Sequence, residues 1–358
     1  MNIPARPWTR QQPPRRILAI RLQAMGDTVI TLPYLQGLRE SLPSSVEIDL
    51  LTRQETEGIP RYIRLFDKVY SLGGQRSKKK ILLHILWMLP RLLLRRYDIV
   101  IDLQHNLYSR IVRTVLRPEA WTLYDKYAPL SAGERYRLTI SAVGLGEIRP
   151  SYHFHLPDDP KAMRLLRSRG WNEKDELVVL NPAGAFITRN WSLDKYVAFA
   201  RLWLRQRPNT QFIVLGTSFI ASGAAALRQQ LGMRLLDLTG LTTPEEAFAI
   251  LQHVRFMLSE DSGLMHMAWV SGVPTLALFG STRSDWSSPQ GSHTALLSSS
   301  DLPCGNCMLA TCPLGDVRCL TRYTPEQVLR HALALIDISP ADAGIEGNGS
   351  DRNDARPH

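Results

Sequence analysis

Short apolar runs alternate with amphipathic stretches along the first part of the chain. The runs RRILAIRLQ (15–23), VEIDLLT (46–52) and DIVIDLQ (98–104) are rich in Ile, Leu and Val, as buried strands are. TVITLPYLQGLRESLP, which follows the first run, is typical of a helix that ends near Pro43. This order of strand and helix predicts a mainly parallel sheet covered on both faces.

The second half of the chain repeats this plan. Apolar strand patterns occupy residues 176–182, 211–217, 235–240, 255–261 and 273–280, with helical patterns between them. Two such sheets facing each other leave a cleft at the carboxyl ends of their strands, where open α/β sheets bind ligands. The amphipathic stretch 324–336 predicts a final helix that could brace the two halves.

Length and composition favour two domains. The chain has 358 residues, of which 44% are hydrophobic, and this is more than one compact α/β domain usually needs. The stretch 147–160 contains three prolines and is a candidate linker. The predicted units are a basic, proline-rich extension (1–16), a Rossmann-like domain (17–155), a second Rossmann-like domain (156–323), a bracing helix (324–337) and a disordered tail (338–358).

The hydropathy pattern predicts a cytoplasmic protein. The most apolar stretch, ILLHILWMLPRLLL, is too short to span a bilayer and is interrupted by His84, Pro90 and Arg91. The N-terminal stretch MNIPARPWTRQQPPRR is basic but lacks the apolar core of a signal peptide. We therefore expect neither a transmembrane helix nor a cleaved leader.

Positive charge is concentrated in one stretch. The net charge is +10, which favours anionic partners. Between residues 71 and 97, basic residues flank an apolar run that contains no acid: Arg76, Lys78, Lys79, Lys80, Arg91, Arg95 and Arg96. Such a helix suits an anionic membrane surface, whereas a solvated rim on an ordinary domain helix is the alternative.

The turn LQAMGDTVITLP places Gly26 and Asp27 between a strand and a helix, at the cleft. Glycine permits a sharp turn, and a carboxylate there can accept a proton from a hydroxyl held in the cleft. The alternative is that Asp27 only caps the helix by accepting backbone N–H groups. The pattern alone leaves both roles open.

A second turn, LNPAGAFITRNWSLDKY (180–196), contains the small residues Ala183 and Gly184 and places Arg189 just before a helix. An arginine at this point can neutralise a diphosphate through two parallel hydrogen bonds. The alternative is a surface arginine beside a buried tryptophan that anchors the loop.

The stretch SEDSGLMHMAWV joins a strand to a helix. The free amides of Ser262, Gly263 and Leu264 at the start of that helix can bind phosphate oxygens. A carboxylate beside a phosphate is repulsive, so Asp261 must face a sugar hydroxyl or the helix cap. His266 is either a ligand contact or a satisfied core histidine.

Two further turns end strands on the same side of the second sheet. Gly216 and Thr217 follow one strand, and Gly280 and Thr282 follow another, so that amides and hydroxyls are available to a ligand. The chain contains no G-x-G-x-x-G, no P-loop and no D-x-D. Charge neutralisation by Arg189 and helix amides, with no required cofactor or Mg²⁺, is therefore predicted.

All four cysteines, Cys304, Cys307, Cys312 and Cys319, fall within 16 residues. Four thiolates can satisfy tetrahedral Zn²⁺, so a structural zinc site is one interpretation. The loops are short for one metal, and a reduced cluster or two disulfides are the alternatives, of which disulfides are disfavoured in the cytosol.

Taken in order, R-L-Q-A-M-G-D-T-V-I-T-L-P, P-A-G-A with R-N-W, D-S-G-L-M-H-M-A, F-G-S-T and the cysteine tail resemble glycosyltransferase family 9, the ADP-heptose:lipopolysaccharide heptosyltransferases. The resemblance implies a GT-B fold, with acceptor bound by 17–155 and nucleotide-sugar by 156–323. It implies that Asp27 is the catalytic base and that Arg189, Asp261 to Leu264 and His266 bind the donor. Ser192 stands where the family usually has proline, and Thr217, Ser218 and Phe219 stand where it often has a ribose-binding glutamate.

The resemblance further implies an inverting, metal-independent transfer of heptose from ADP-L-glycero-D-manno-heptose to a lipopolysaccharide inner-core or related glycolipid acceptor. Such an enzyme would be peripherally associated with the inner membrane and would bind no nucleic acid. The alternatives are a different nucleotide-sugar or acceptor, a nucleotide-sugar epimerase of the same fold, and a basic, zinc-containing nucleic-acid-binding protein. Against the last, the positive charge is not interleaved with exposed aromatic residues.

Overall fold

The computed structural model describes residues 3–74, 77–157, 160–184 and 186–337. The predicted tail 338–358 and the basic residue Arg76 lie outside these described residues. The described chain forms two six-stranded sheets, each covered by helices. No helix in these ranges combines the length and the apolar composition that crossing a bilayer requires.

The first sheet has the strand order β1-β6-β5-β2-β3-β4, in which β1 is antiparallel to β6 and the other pairs are parallel. Its strands are β1 (Ala5–Arg6), β2 (Arg16–Ile20), β3 (Glu47–Arg53), β4 (Lys68–Leu72), β5 (Ile99–Asp102) and β6 (Ala120–Leu123). The helices of this half are α1 (Met25–Ser41), α2 (Gly58–Tyr62), α3 (Lys78–Arg95), α4 (Leu107–Leu116) and α5 (Ala132–Ser141).

The second sheet is wholly parallel and has the order β12-β11-β10-β7-β8-β9. Its strands are β7 (Glu176–Asn181), β8 (Thr210–Val214), β9 (Leu235–Asp237), β10 (Val254–Glu260), β11 (Thr275–Leu278) and β12 (Thr294–Leu297). The accompanying helices are α6 (Pro160–Ser168), α7 (Leu193–Gln206), α8 (Ala221–Leu231), α9 (Pro244–Leu251), α10 (Gly263–Val270), α11 (Ser284–Ser287), α12 (Arg318–Thr321) and α13 (Pro325–Asp337). The prediction of two doubly wound, Rossmann-like halves is confirmed.

The two halves meet through helices. α1 packs against α10, and α2 packs against α9. One buried apolar cluster runs through both halves and includes Val29 and Leu32 of α1 together with Trp269 of α10. The final helix, predicted to brace the two halves, packs instead on α7 and on β10, β11 and β12. Its buried face, with Val328 and Leu335, belongs to the apolar core of the second half.

Candidate active site

Each sheet has one point where the strand order reverses, between β2 and β5 in the first half and between β7 and β10 in the second. Ligands of open α/β sheets bind in the crevice at such a point, outside the carboxyl ends of the strands. The Asp27 turn follows β2, the Arg189 loop follows β7, and the segment beginning at Asp261 follows β10. The topology therefore places three of the predicted motifs at the two reversal points.

Asp27 lies in the first turn of α1 and combines both roles that its position allows. Its Oδ2 accepts the backbone N–H of Ala24 at 3.2 Å, so the carboxylate does cap the helix. The same oxygen lies 2.7 Å from Nη2 of Arg21. The side chain nevertheless keeps 43% of its surface exposed, so a hydroxyl in the cleft can reach it.

Arg21 is a site residue that the sequence reasoning missed. It is buried at the end of β2, its Nη1 donates to the carbonyl of Leu103 at 2.7 Å, and its guanidinium lies 5.3 Å from the ring centre of Tyr136. These contacts fix the guanidinium, which in turn orients the carboxylate of Asp27. The available signal was an arginine placed directly after the apolar run 17–20.

Gln104 supports the same turn from the neighbouring strand. Its Oε1 accepts the backbone N–H groups of Leu22 at 2.9 Å and of Gln23 at 3.1 Å. One side chain from the end of β5 therefore holds two successive amides that lead into the Asp27 turn. This residue was also missed, because its sequence position gives no indication of its partners.

Across the cleft, α10 begins beside the Asp27 turn. Ser262 caps α10 by accepting the N–H of Met265 at 3.3 Å. The buried Asn181 at the end of β7 donates to the hydroxyl oxygens of Ser262 at 2.7 Å and of Ser259 at 2.8 Å. A Cβ added to Gly263 would have no described atom within 4 Å, so the start of the helix is open to a ligand.

The structure resolves where Asp261 points. Nη2 of Arg189 donates to the carboxylate of Asp261 at 2.7 Å and to its backbone carbonyl at 2.6 Å. Arg189 and Asp261, both predicted to bind the nucleotide-sugar, thus form an ion pair that is largely shielded from solvent. Nε of Arg189 is buried and has no hydrogen-bond partner within the described ranges, and the side chain as a whole keeps 17% of its surface exposed.

Glu260, at the end of β10, fastens the Arg189 loop to the sheet. Its Oε2 accepts the N–H of Gly184 and its Oε1 accepts the N–H of Trp191, both at 2.6 Å. Burial raises the pKa of Glu260 to about 8, and these backbone hydrogen bonds oppose the rise. The quoted motif contained this residue, but only the structure shows that it spans both ends of the loop.

A cavity of about 350 Å³ lies between the two halves. Met25 of α1 lines it from the first half. Six of the predicted donor residues line it from the second half: Ala183, Gly216, Thr217, Ser262, Gly263 and Leu264. Gly184 lines an adjacent cavity of about 720 Å³, and Phe219 and Ile220 border both cavities.

His266 lies at the contact between the halves and is buried. The indole N–H of Trp269, which can only donate, lies 3.2 Å from its Nδ1, so Nδ1 carries the lone pair and Nε2 carries the proton of the neutral ring. Burial lowers the pKa of His266, while the charges of Asp261 and Asp27 oppose that change. A Cβ added to Gly26 would lie 3.2 Å from Cδ2 of His266, which shows how closely the turn approaches α10.

Gly280 and Thr282 are buried behind the Arg189 loop and are not among the described residues that line the cavity between the halves. A Cβ added to Gly280 would lie 2.1 Å from the carbonyl oxygen of Thr188. The hydroxyl of Thr188 also donates to the carbonyl of Leu309 at 2.6 Å. The structure therefore gives this turn a supporting position beneath Arg189.

The four cysteines lie in the segment that packs beneath this loop and are unpaired. Cys304 and Cys307 are exposed, whereas Cys312 and Cys319 are partly exposed. Within the described part of the chain, no three His, Cys, Asp or Glu side chains converge as a metal site requires. The zinc site stays a prediction from residue type and spacing.

The basic stretch divides into two parts. Lys78, Lys79, Lys80 and Arg96 are exposed, as the pattern predicts. Arg95 differs from the prediction, because its guanidinium turns inward and pairs with Asp49 at 3.0 Å. The orientation of this guanidinium is therefore determined by a buried carboxylate, and it does not extend into solvent with the lysines.

Comparison with known proteins places the chain in a family. The model of glycosyltransferase family 9 (heptosyltransferase) matches residues 135–318, just over half of the chain. The chain is 26% identical over 169 residues to lipooligosaccharide heptosyltransferase 2 of Campylobacter jejuni, covering 46% of this chain and 52% of that protein. It is 22% identical over 364 residues to lipopolysaccharide heptosyltransferase 1 of Pseudomonas aeruginosa, covering 90% of this chain and 98% of that protein. The chain thus spans about half the length of the C. jejuni relative it matches, but nearly all of the P. aeruginosa one.

Solved structures match the fold. A family 9 glycosyl transferase from Veillonella parvula superposes with a TM-score of 0.75 at 19% identity, covering 90% of this chain and 97% of that one. The E. coli heptosyltransferase WaaC with ADP-2-deoxy-2-fluoro heptose superposes with a TM-score of 0.62 at 18% identity, covering 88% and 98%. The two facing Rossmann-like halves therefore form a GT-B fold. Together with the match of the family model, this shows that the chain belongs to glycosyltransferase family 9, the heptosyltransferase family.

Proposed function

We propose that the protein is an inverting, metal-independent glycosyltransferase that moves heptose from ADP-L-glycero-D-manno-heptose to a lipopolysaccharide inner-core or related glycolipid acceptor. The observation that carries the proposal is the meeting of the Asp27 turn with the start of α10. Gly26 approaches His266, and Met25 lines the same cavity as Ser262 and Gly263. A sugar whose diphosphate is bound by α10 would therefore present its anomeric carbon near Asp27.

In the proposed reaction, Asp27 acts as general base. Its carboxylate, oriented by Arg21, takes the proton of an acceptor hydroxyl while that oxygen forms a bond to the anomeric carbon. The bond from this carbon to the β-phosphate oxygen breaks at the same time, and ADP leaves with the electron pair. Because the acceptor and ADP lie on opposite faces of the sugar, the configuration is inverted.

The charge that grows on the leaving diphosphate is met by fixed donors. In this proposal the donors are the amides at the start of α10 and the guanidinium of Arg189, whose side chain is partly exposed. Asp261 holds the guanidinium of Arg189 in place. Removing one preorganised donor of this kind typically lowers the rate by about a hundredfold or more.

The choice of ADP-heptose is supported by the E. coli enzyme, which was solved with ADP-2-deoxy-2-fluoro heptose and shares the fold. One observation favours a second candidate, another nucleotide-sugar. Thr217, Ser218 and Phe219 occupy the turn after β8, where a carboxylate could have bound ribose hydroxyls, and Phe219 is exposed there. The nucleotide is therefore the part of the proposal to test first.

The test is a panel of nucleotide-sugars incubated with the purified protein, with and without heptose-free lipopolysaccharide core as acceptor. The proposal predicts release of ADP from ADP-heptose that depends on acceptor, and a raised melting temperature with ADP-heptose alone. Acceptor-dependent release from a different nucleotide-sugar would replace the donor assignment. Conversion of a nucleotide-sugar without acceptor would indicate an epimerase instead.

The proposal also places the enzyme in the cytoplasm at the inner membrane, where a glycolipid acceptor is available. Positive charge on the first half suits both an anionic bilayer and a phosphorylated core.

A further inference from the structure

Helix α3 has two apolar faces. Its inner face packs into the core of the first half through Ile81, Ile85, Met88, Leu89 and Leu92. Its outer face exposes large apolar side chains at positions that share one side of the helix: Leu83 (67% exposed), Leu86 (54%), Trp87 (62%) and Leu94 (84%). A domain helix normally presents polar residues to water, so an apolar stripe of this size indicates a contact surface.

The charged side chains of α3 are all positive. Lys78, Lys79 and Lys80 form the first turn of α3, and the helix contains no acidic residue. The start of a helix disfavours cations, because its free amides carry partial positive charge. The three lysines therefore do not stabilise the helix itself and are better explained by an anion outside the protein.

Arg91 and Trp87 join the two features. The Arg91 guanidinium lies 4.0 Å from the centre of the Trp87 ring. Trp places an apolar body beneath a polar edge, and Arg keeps its charge in water while its stem covers apolar surface. A stripe of Leu and Trp bordered by cations is the pattern of a helix that lies in the plane of a membrane interface.

We propose that the outer face of α3 docks on an anionic bilayer, with Leu83, Trp87 and Leu94 inserted among the lipid headgroups. A second copy of the chain is a poorer occupant, because a symmetric contact would place the cations of one copy against those of the other. Anionic headgroups complement the same cations. Bilayer and stripe therefore match in both polarity and charge.

The position of α3 connects this surface with the cleft. Lys78 and Ile81 line a cavity of about 280 Å³ together with Gln23 and Asn106, at the carboxyl end of the first sheet. Docking through α3 brings the acceptor side of the cleft to the bilayer. That docking serves to present the acceptor rests on the proposed function, whereas the docking itself does not.

The test is flotation of the full chain with phosphatidylcholine vesicles, with and without phosphatidylglycerol, in the absence of donor and acceptor. The full chain is expected to bind the anionic vesicles. Leu83→Ser with Leu94→Ser should weaken that binding by at least about tenfold. The matched control, Met233→Ser with Leu314→Ser, removes exposed apolar residues of the second half and should leave binding unchanged.

Two further measurements separate insertion from adsorption. Lys79→Gln with Lys80→Gln should weaken binding to anionic vesicles by on the order of twentyfold, with no effect on neutral ones. Brominated lipids should quench part of the tryptophan fluorescence, and Trp87→Phe should abolish that part.

Three results would overturn the proposal. They are no binding to anionic vesicles, binding that the leucine substitutions leave unchanged, and a reversible dimer in solution that the same substitutions dissociate. Vesicle binding without any glycosyl transfer would leave the docking surface standing and reject only the proposed function. Transfer to a soluble acceptor without any vesicle binding would reject the docking surface and leave the proposed function standing.

Discussion

Replacing Glu260 with glutamine tests whether this buried carboxyl group fastens the Arg189 loop. Glutamine keeps the shape of the side chain but offers one acceptor oxygen where Glu260 uses two, one for Gly184 and one for Trp191. One of these two backbone N–H groups would then face an amide NH₂ and lose its partner. A buried donor left unsatisfied costs about 1–3 kcal/mol of folding free energy.

In a domain of this size, each kcal/mol lowers the melting temperature by roughly 2–4 °C. Glu260→Gln should therefore melt about 2–12 °C below the parent in scanning calorimetry. The matched control is Glu147→Gln, because Glu147 is exposed and its replacement should change the stability by less than about 0.5 kcal/mol. Equal stability of the Glu260 variant and the control would refute the reasoning.

The same carboxyl group predicts a pH dependence with a definite sign. Because the pKa of Glu260 is raised to about 8 in the folded chain, the folded state keeps a proton that the unfolded state releases near the ordinary glutamate pKa. The contribution of Glu260 to the free energy of unfolding should then fall as the pH rises from about 5 to about 8, by at most about 1.4 kcal/mol per pH unit. Buried histidines such as His266, whose pKa is lowered, contribute in the opposite direction, so the parent is compared with Glu260→Gln. In denaturant titrations the stability of the parent should fall with pH relative to that of Glu260→Gln, and an identical pH dependence in both would contradict the assignment.

Three substitutions near the cleft separate support from ligand contact. Gln104→Leu removes the acceptor for two amides before the Asp27 turn, so kcat should fall about tenfold or more with donor Kd unchanged, and an unchanged kcat would remove Gln104 from the account. Gly184→Ala would place a Cβ 2.1 Å from Oδ1 of Asn190, so calorimetry should show a lower Tm, and a normal Tm would mean that the loop adapts. Gly263→Ala meets no described atom and should fold normally, so weaker donor binding in titration calorimetry would report contact with the ligand and unchanged binding would place the diphosphate elsewhere.

The sequence predicted the positions of those residues whose place depends on the backbone alone. Asp27, Gly184 and Ser262 follow apolar strands, and the carboxyl ends of parallel strands meet at one edge of a sheet. The two-sheet architecture was also predictable, because apolar strand patterns alternate with helical patterns in both halves of the chain. The two-residue strand β1 carries no such periodicity and could be found only from its pairing with β6.

Side-chain direction could not be predicted in this way. In the sequence Arg95 is one of several cations in a basic stretch. In the structure its guanidinium pairs with the buried Asp49, which is far away in sequence. Gln104 and Glu260 act through backbone N–H groups that lie far away in sequence, so no local pattern marks them. The sequence predicts that the carboxylate of Asp261 faces away from a phosphate. It does not indicate the ion pair with Arg189, because that contact forms only in the folded loop.

The central claim is that Asp27 deprotonates the acceptor while the opposite half of the cleft binds the donor. The most direct test measures acceptor-dependent ADP release and donor Kd in the same preparation of Asp27→Asn. Asp194→Asn serves as control, because it removes an exposed carboxylate from the first turn of α7 that lines neither cavity of the site. The account predicts that Asp27→Asn loses at least about a hundredfold in kcat with donor Kd nearly unchanged, and that the control keeps both. Near-normal turnover by Asp27→Asn would contradict it.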